Sequence, residues 1–474
     1  MNRESDPPRS PRGWRWGERI LSLLLLAGCA SPASPAPDPP LSVLLDVRGV
    51  PPQARFVQVR HRIDFTARLR ALGVEGAVDE RSLRLFRDGL EVPVQYVPDP
   101  QPRARARTLL PGSRDGLSLA GEYAPDRTPA VAQSGELVWI APSDGFYRLE
   151  YRLPREGLQI QVPFPPQNLL AYGPDGRPSP PAHFPRVQLR PSRPVDGVVH
   201  VTVDGRPLTS AHDGRVALKP YLYPLLGPDG HALTDLGKPH DPTGSHAHHL
   251  SLWVGHGNAG GKDFWSLRGG TIVQEAVERQ EDGPLFGVLR TRLAWTHGET
   301  VVLREGRTWT FHATPPSFRL MDLDLELSSP GDAPVVLGPT TFGLLSVRVA
   351  PTMTVVDGAG EITDAEGRLN ERAVHLGRAA WIDLSGPVAP GERAGVALMD
   401  HPSNPGHPTA WHCRDDGWAS AALSKHGPVT IEPGPPLRLR YRVVLHRGGA
   451  READVAAHFA DFAAAPLVRE AEGK

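Results

Sequence analysis

Cysteine is nearly absent from this chain of 474 residues, which has only Cys29 and Cys413. Two cysteines cannot build a disulfide framework, so the fold must rest on its apolar core. Charge of one sign is not in excess either, with 52 Lys and Arg against 53 Asp and Glu. That balance offers no basic stripe for nucleic acid and no acidic solvating tail. Past residue 29 no apolar run approaches the length of a membrane-spanning helix. The short catalytic signatures are missing as well: no HExxH, no CxxC, no GxSxG, no phosphate-cradling loop, and no GxGxxG within a βαβ unit. Their absence argues against zinc peptidases, nucleotide enzymes and α/β hydrolases. What is abundant is Gly, 49, and Pro, 52, scattered between short apolar runs, together with ten Trp. This composition predicts many turns joining short strands in a mainly β protein.

The amino-terminal segment has its own chemistry. Arg9, Arg12, Arg15 and Arg19 precede a short apolar stretch, Ile20 to Leu26. A basic region followed by a short apolar one reads as a secretory signal. Leu26-Ala27-Gly28-Cys29 resembles a bacterial lipobox, which implies a signal peptide over 1–29 and acylation of Cys29. Ala30, rather than Asp, follows that cysteine and points to the outer membrane. The expectation is a cell-envelope lipoprotein that meets the membrane through its lipid alone. Residues 30–40 have the composition of a Pro-rich tether.

From Leu41 onward apolar and polar residues alternate, as in "FVQVRHRIDF" and "ELVWIAPSDGFYRLEYRL". Asp88-Gly89 between two such runs is a hairpin signal. We read 41–160 as a small β-sandwich, with the polar stretch 99–116 and its four Arg as a loop. A Pro-rich connector spans 161–195. Longer strands then follow, such as "TVVLREGRTWTFHA" and "SFRLMDLDLELSS", over a second domain, 196–465. Strands of that length suit a large two-sheet supersandwich. Val455, Phe459 and Phe462 recur at helical spacing and predict one carboxy-terminal helix stopped by Pro466.

Two polar motifs stand out. "GSHAHHLSLWVGHG" places His246, His248, His249 and His256 close together. In a strand His246 and His248 share a face about 6–7 Å apart, which suits one divalent metal; His249 points away and His256 lies too far along. Alternatively the imidazoles move protons or bind substrate, or simply satisfy one another. "MDHPSNPGHPTAWHCRDDGW" holds Asp400, His401, Asn404, His407, Trp411, His412, Cys413 and Arg414. Its three prolines stiffen a loop after a strand, a suitable wall for a site. His412 and Arg414 share a face if this is a strand, where Arg414 suits a carboxylate. "GKDFW" offers Asp263 and Trp265 for a sugar cleft, and Arg348 is a strand cation suited to a uronate. Glu305, Arg307 and Arg348 are strand charges that either face a cleft or are solvated or paired. Cys413, between His412 and Arg414, lacks a nucleophile signature and reads as a buried thiol.

"KPYLYPLLGPDG", the His motif with "KDFW", and the Asp400–Trp418 motif resemble in order and spacing a bacterial family labelled methane oxygenase PmoA. The likeness covers roughly 196–465. Where that family's first motif carries an acid and a proline, this chain has Gly244-Ser245-His246-Ala247-His248-His249, with Asp241 nearby. The resemblance implies a galactose-mutarotase-like supersandwich on an anchored or secreted protein. It assigns no residue roles, and the missing membrane helices contradict methane chemistry. The function expected from these readings is action on a glycan, as a lyase, hydrolase or epimerase. His248, His249, His401, His412, Asp400 and Arg414 would be the reacting groups. Trp265, Asp263, Arg348, Asn404, His407 and Trp411 would bind substrate. A non-catalytic glycan-binding lipoprotein is the alternative. No cofactor is specified beyond the metal pair, and the decisive geometry is whether the two motifs meet.

Overall fold

A computed structural model of the protein describes residues 40–99, 131–153, 186–192, 196–237, 246–266 and 268–471. The lipobox with Cys29, the tether up to Pro39, the Arg-rich stretch from residue 100, most of the Pro-rich connector and Asp241 to Ser245 lie outside the described residues.

Strand alternation builds two large antiparallel sheets from residue 187 onward. The first runs in the order Thr271–Glu281, Phe286–His297, Thr300–His312, Phe318–Ser328, Leu437–Arg447, Glu392–Asp400, Trp381–Ala389 and Glu361–Asp364. The second runs Val187–Pro191, Val198–Val203, Arg206–His212, Tyr221–Leu222, Leu252–Val254, Leu345–Arg348, Trp418–Ala421 and Trp411–Arg414. One continuous apolar core draws Leu293, Trp295, Leu323 and Val443 from the first sheet. From the second it draws Leu189, Leu252, Val347 and Trp411. The expected mainly β, two-sheet supersandwich is therefore present.

Parts of the first sheet's central strands are buried on both faces, which explains their apolar runs. In Phe286–His297, Leu289, Leu293 and Trp295 enter the main core, while Phe286 and Val288 pack against Val138 of the amino-terminal sandwich. In Phe318–Ser328, Met321, Leu323 and Leu325 face the core. Phe318 and Leu320 face the other way, onto the helix Val455–Ala463. This period-2 division is the direct consequence of the strand pleat.

The amino-terminal sandwich sets Leu41–Arg48, Gly145–Tyr151, Arg84–Arg87 and Leu90–Val92 against a three-stranded sheet of Val57–Asp64, Ser134–Ala141 and Val94–Pro98. Asp88 (φ 50) and Gly89 (φ 79) are both left-handed, as a tight hairpin turn requires. The apolar run after Val57 does not continue as a strand through Phe65. Asp64 ends it and caps helix α1, Phe65–Ala71, accepting the Ala67 N–H at 2.9 Å. Helix α2, Asn370–Val374, is a single turn. Helix α3, Val455–Ala463, is the helix expected near the carboxyl end. Beyond it the chain makes one more strand, Leu467–Ala471, which returns to pair with Leu41–Arg48.

Candidate functional site

The His motif is a turn, not a strand. His246 to His248 form the turn, closed by the His249 N–H on the His246 carbonyl at 2.9 Å. The following Ser251 is left-handed (φ 60), which redirects the chain into the strand Leu252–Val254. The turn gathers three imidazoles that a strand would have separated. Ring centroids lie 6.3 Å apart for His246 and His248, 5.0 Å for His246 and His249, and 4.6 Å for His248 and His249. Among the described residues no group of three His, Cys, Asp or Glu is placed to hold a metal. His256 is not part of this cluster. Its Nδ1 accepts the Asn258 N–H and its Nε2 donates to Ser424 Oγ, both at 3.0 Å.

The second motif is split by the sandwich. Along Trp411–Arg414 and its partner Trp418–Ala421, Trp411, Cys413, Ala419 and Ala421 enter the core. His412 and Trp418 therefore face outward from the second sheet, and Trp418 joins an aromatic cluster with Trp253 and Trp265. Trp418 stacks 4.2 Å from His412 and lies 4.8 Å from His249, so it links the two motifs.

Asp400, His401, Asn404 and His407 do not converge there. His401 and His407 lie against Phe462 and Phe459 of α3, the helix that covers the outer face of the first sheet. Asp400 accepts from Asn404 Nδ2, His407 Nδ1 and the Thr409 N–H at 2.8, 2.8 and 2.9 Å. Asn404 also binds both the N–H and the carbonyl of Arg440, each at 2.7 Å. These residues lock the Pro-rich loop. Burial raises the Asp400 carboxyl's pKa against these bonds, and burial beside Arg440 pushes His401 down to about 4. Asp400→Ala should lower stability by about 1–3 kcal/mol, because it leaves the buried Thr409 N–H unpaired. Chemical denaturation measures this.

Other expected residues take supporting positions. Trp411 is fully buried and donates Nε1–H to the Ala379 carbonyl at 2.8 Å, so it is core and not a sugar platform. Arg414 is exposed and pairs with Glu371 at 3.1 Å. Buried Arg348 donates Nη1–H to His249 Nδ1 at 3.2 Å and Nη2–H to the Asp416 carbonyl at 3.0 Å. It orients an imidazole instead of facing a cleft. Burial pushes the Cys413 thiol up to about 12, which makes it inert at neutral pH.

An open cleft of about 520 Å³ borders the cluster, lined by Asn258, Asp263, Trp265, Ser266, Thr340 and Phe342 among others. Trp265 and Phe342 lie 4.7 Å apart, and Trp265 is 6.4 Å from His248 and 6.0 Å from His249. Asp263 caps the turn that presents Trp265, accepting the Trp265 and Ser266 N–H groups at 2.8 and 3.0 Å and bonding Ser266 Oγ.

Proton positions follow from the partners. Arg348 can only donate, so His249 carries its proton on Nε2. His412 Nδ1 faces the Thr341 carbonyl at 3.1 Å, so its proton is on Nδ1. His412 Nε2 then holds a bare lone pair, buried and without a partner among the described residues. Burial pushes His248 down to about 4 and His412 to about 3, and holds His249 far below the usual imidazole range. All three are neutral at pH 7. They can accept a proton or polarise a bond through N–H, but they supply no imidazolium. His246 and His248 are half-buried, whereas His249 is 1% exposed.

Sequence reasoning gave no role to Lys219, although it opens the "KPYLYPLLGPDG" motif. Its amine is fully buried beside Trp253 and Trp265, and burial pushes it down to about 7.

Fold and site together define a two-sheet β-sandwich protein with an aromatic and imidazole cluster on the outer face of one sheet. The chain belongs to a family of unknown function, DUF6807, whose model matches residues 198–460. The match brings no support for a methane oxygenase label, and among the described residues no helix is long and apolar enough to cross a membrane. A comparison with curated proteins finds no match. Among solved structures, a GalM/aldose epimerase homologue from C. elegans shares 10% identity over 56% of this chain and 98% of its own, with a TM-score of 0.25. YeaD from Salmonella typhimurium shares 12% over 56% and 95%, with a TM-score of 0.28. A heparinase III gene product shares 8% over 58% and 36%, with a TM-score of 0.24.

Proposed function

We propose that the protein acts on carbohydrate at the cleft beside Trp265, with His248 as the proton acceptor, in a lyase, hydrolase or epimerase type of reaction. The observation behind this reading is that one indole, Trp265, both walls the cleft and abuts the imidazole cluster. Aromatic faces pack against the C–H faces of sugar rings, and Asn258, Asp263, Ser266 and Thr340 offer polar groups in the same cleft to orient a ligand. His248, one of the two half-buried members of the cluster, lies against the Trp265 ring and is neutral at pH 7. Its lone pair accepts a proton with His249 packed behind it, and Arg348 holds His249 in one tautomer. We also read the chain as a lipoprotein acylated at Cys29 and facing the cell envelope. Labelling with a palmitate analogue, lost in Cys29→Ser, tests that part.

Turnover on soluble starch, xylan, alginate and polygalacturonate tests the chemistry. His248→Ala should lower kcat about 10²–10⁴-fold while binding persists, the range for loss of a general base. Trp265→Ala should lose binding as well. A second reading is favoured by the depth of His249 and His412, of which little reaches solvent: a glycan-binding protein without catalysis. Binding that Trp265→Ala abolishes, with no turnover by the wild type, selects it. Wild-type protein that neither binds nor turns over any of these glycans overturns both.

A further inference from the structure

Lys219 is the group that the proposed chemistry leaves unused. Its position is built with care. Leu218 before it is left-handed (φ 63), a conformation that L side chains rarely adopt. Gly214 packs so closely that a Cβ there would lie 2.2 Å from the Lys219 carbonyl carbon. Pro220 after it accepts from Arg307 Nη1 at 3.3 Å. Arg307 is held by Glu305 through two bonds, and Glu305 also takes the Trp295 Nε1–H at 2.7 Å. Glu305 and Arg307 are thus a buried pair that braces this segment, not cleft charges. At the other end, Lys219 Nζ donates to the Trp265 carbonyl at 2.8 Å, 5.5 Å from the Trp253 ring centroid and 5.8 Å from that of Trp265.

We propose that Lys219 is a positioning residue whose amine, seated between two indoles and bonded to the Trp265 carbonyl, sets the orientation of the cleft's aromatic wall. This rests on the reading of that cleft as the site. Asp263 fixes the N–H groups of the Trp265 turn, and Lys219 fixes its carbonyl, so the indole is held from both sides. The charged amine binds a carbonyl and an indole face more strongly than the neutral one does. Burial pushes the amine down to about 7, so loss of its proton loosens the wall over a narrow range around neutral pH. The titratable and charged groups around it are Asp263, His248 and His249, with His246 beside the two imidazoles and the Glu305–Arg307 pair at Pro220. His248 and His249 are neutral across that range.

The test needs no sugar. Acrylamide quenching of tryptophan fluorescence is measured on the full chain and on Trp265→Phe, and the difference isolates Trp265. Between pH 6 and pH 8.5 the wild-type Trp265 quenching constant should rise at least twofold, following one proton with a midpoint near 7. Lys219→Met, which keeps the volume and removes the charge, should be strongly quenched at both pH values. His246→Ala should keep the transition. A flat wild-type titration overturns the proposal whether or not Lys219→Met folds. So does a transition lost in His246→Ala, or a Lys219→Met protein that behaves as the wild type at pH 6. Failure of the carbohydrate reading would show instead as normal quenching behaviour with no glycan bound.

Discussion

Asp322→Ala is expected to destabilise the protein by about 3–5 kcal/mol, the cost of leaving a buried charge without its partner. Asp322 projects from the face of Phe318–Ser328 that meets α3. Arg442 Nε and Nη2 donate to its two oxygens at 2.7 and 2.9 Å, and His312 Nε2 donates at 2.9 Å. His312 and Arg442 are 1% and 3% exposed. Burial alone would raise the Asp322 carboxyl's pKa, but Arg442 and His312 overcome it and hold the group well below the usual carboxylate range. Burial lowers His312 despite the neighbouring carboxylate, so the imidazole is neutral and the charges balance as one cation and one anion. Removing Asp322 strands the guanidinium under the Phe462 ring, 4.7 Å from its centroid. Denaturant unfolding at pH 7 measures the loss.

The same carboxylate sets a pH signature. Its pKa is depressed on folding, so its contribution is complete above the unfolded value of about 3.9 and is lost progressively as pH falls below that. The stability gap between wild type and Asp322→Ala should therefore be constant from pH 7 to about pH 5 and shrink below pH 4. A gap that widens with acid would contradict the assignment.

Much of the fold was legible because strand alternation is local. The paired apolar runs, the Asp88-Gly89 hairpin and the helix from Val455 follow from periodicity alone. What alternation cannot reveal is which neighbour each face meets. Trp411 and His412 are adjacent in one motif, yet the pleat sends Trp411 into the core and His412 into the aromatic cluster. Asp400 to His407 belong to the same stretch of sequence but serve the other sheet. The His246–His249 turn was read as a strand because its apolar continuation, Leu250 to Val254, dominates the pattern. Lys219, though it opens a quoted motif, received no role because a buried lysine carries no periodic signal. The pairing of Leu467–Ala471 with Leu41–Arg48 joins segments from opposite ends of the chain, a contact that no local rule anticipates.

Trp418 is where stability and function should fail together. Its ring is 8% exposed and touches partners from both motifs: His412 at 4.2 Å, His249 at 4.8 Å and Trp265 at 5.6 Å. Trp418→Ala should cost about 3–5 kcal/mol, as large-to-small changes at buried aromatics do. It would also free the His412 and His249 rings, which share Trp418 as their common wall. Trp418→Phe fills much of the volume and should recover most of the stability by thermal or denaturant unfolding. If the ring's function is to hold the two imidazoles in register, glycan binding or turnover should stay impaired in Trp418→Phe, since a smaller ring cannot contact both. Full recovery of activity along with stability would mean that the cluster needs only bulk at this position, and that His412 acts independently of His249.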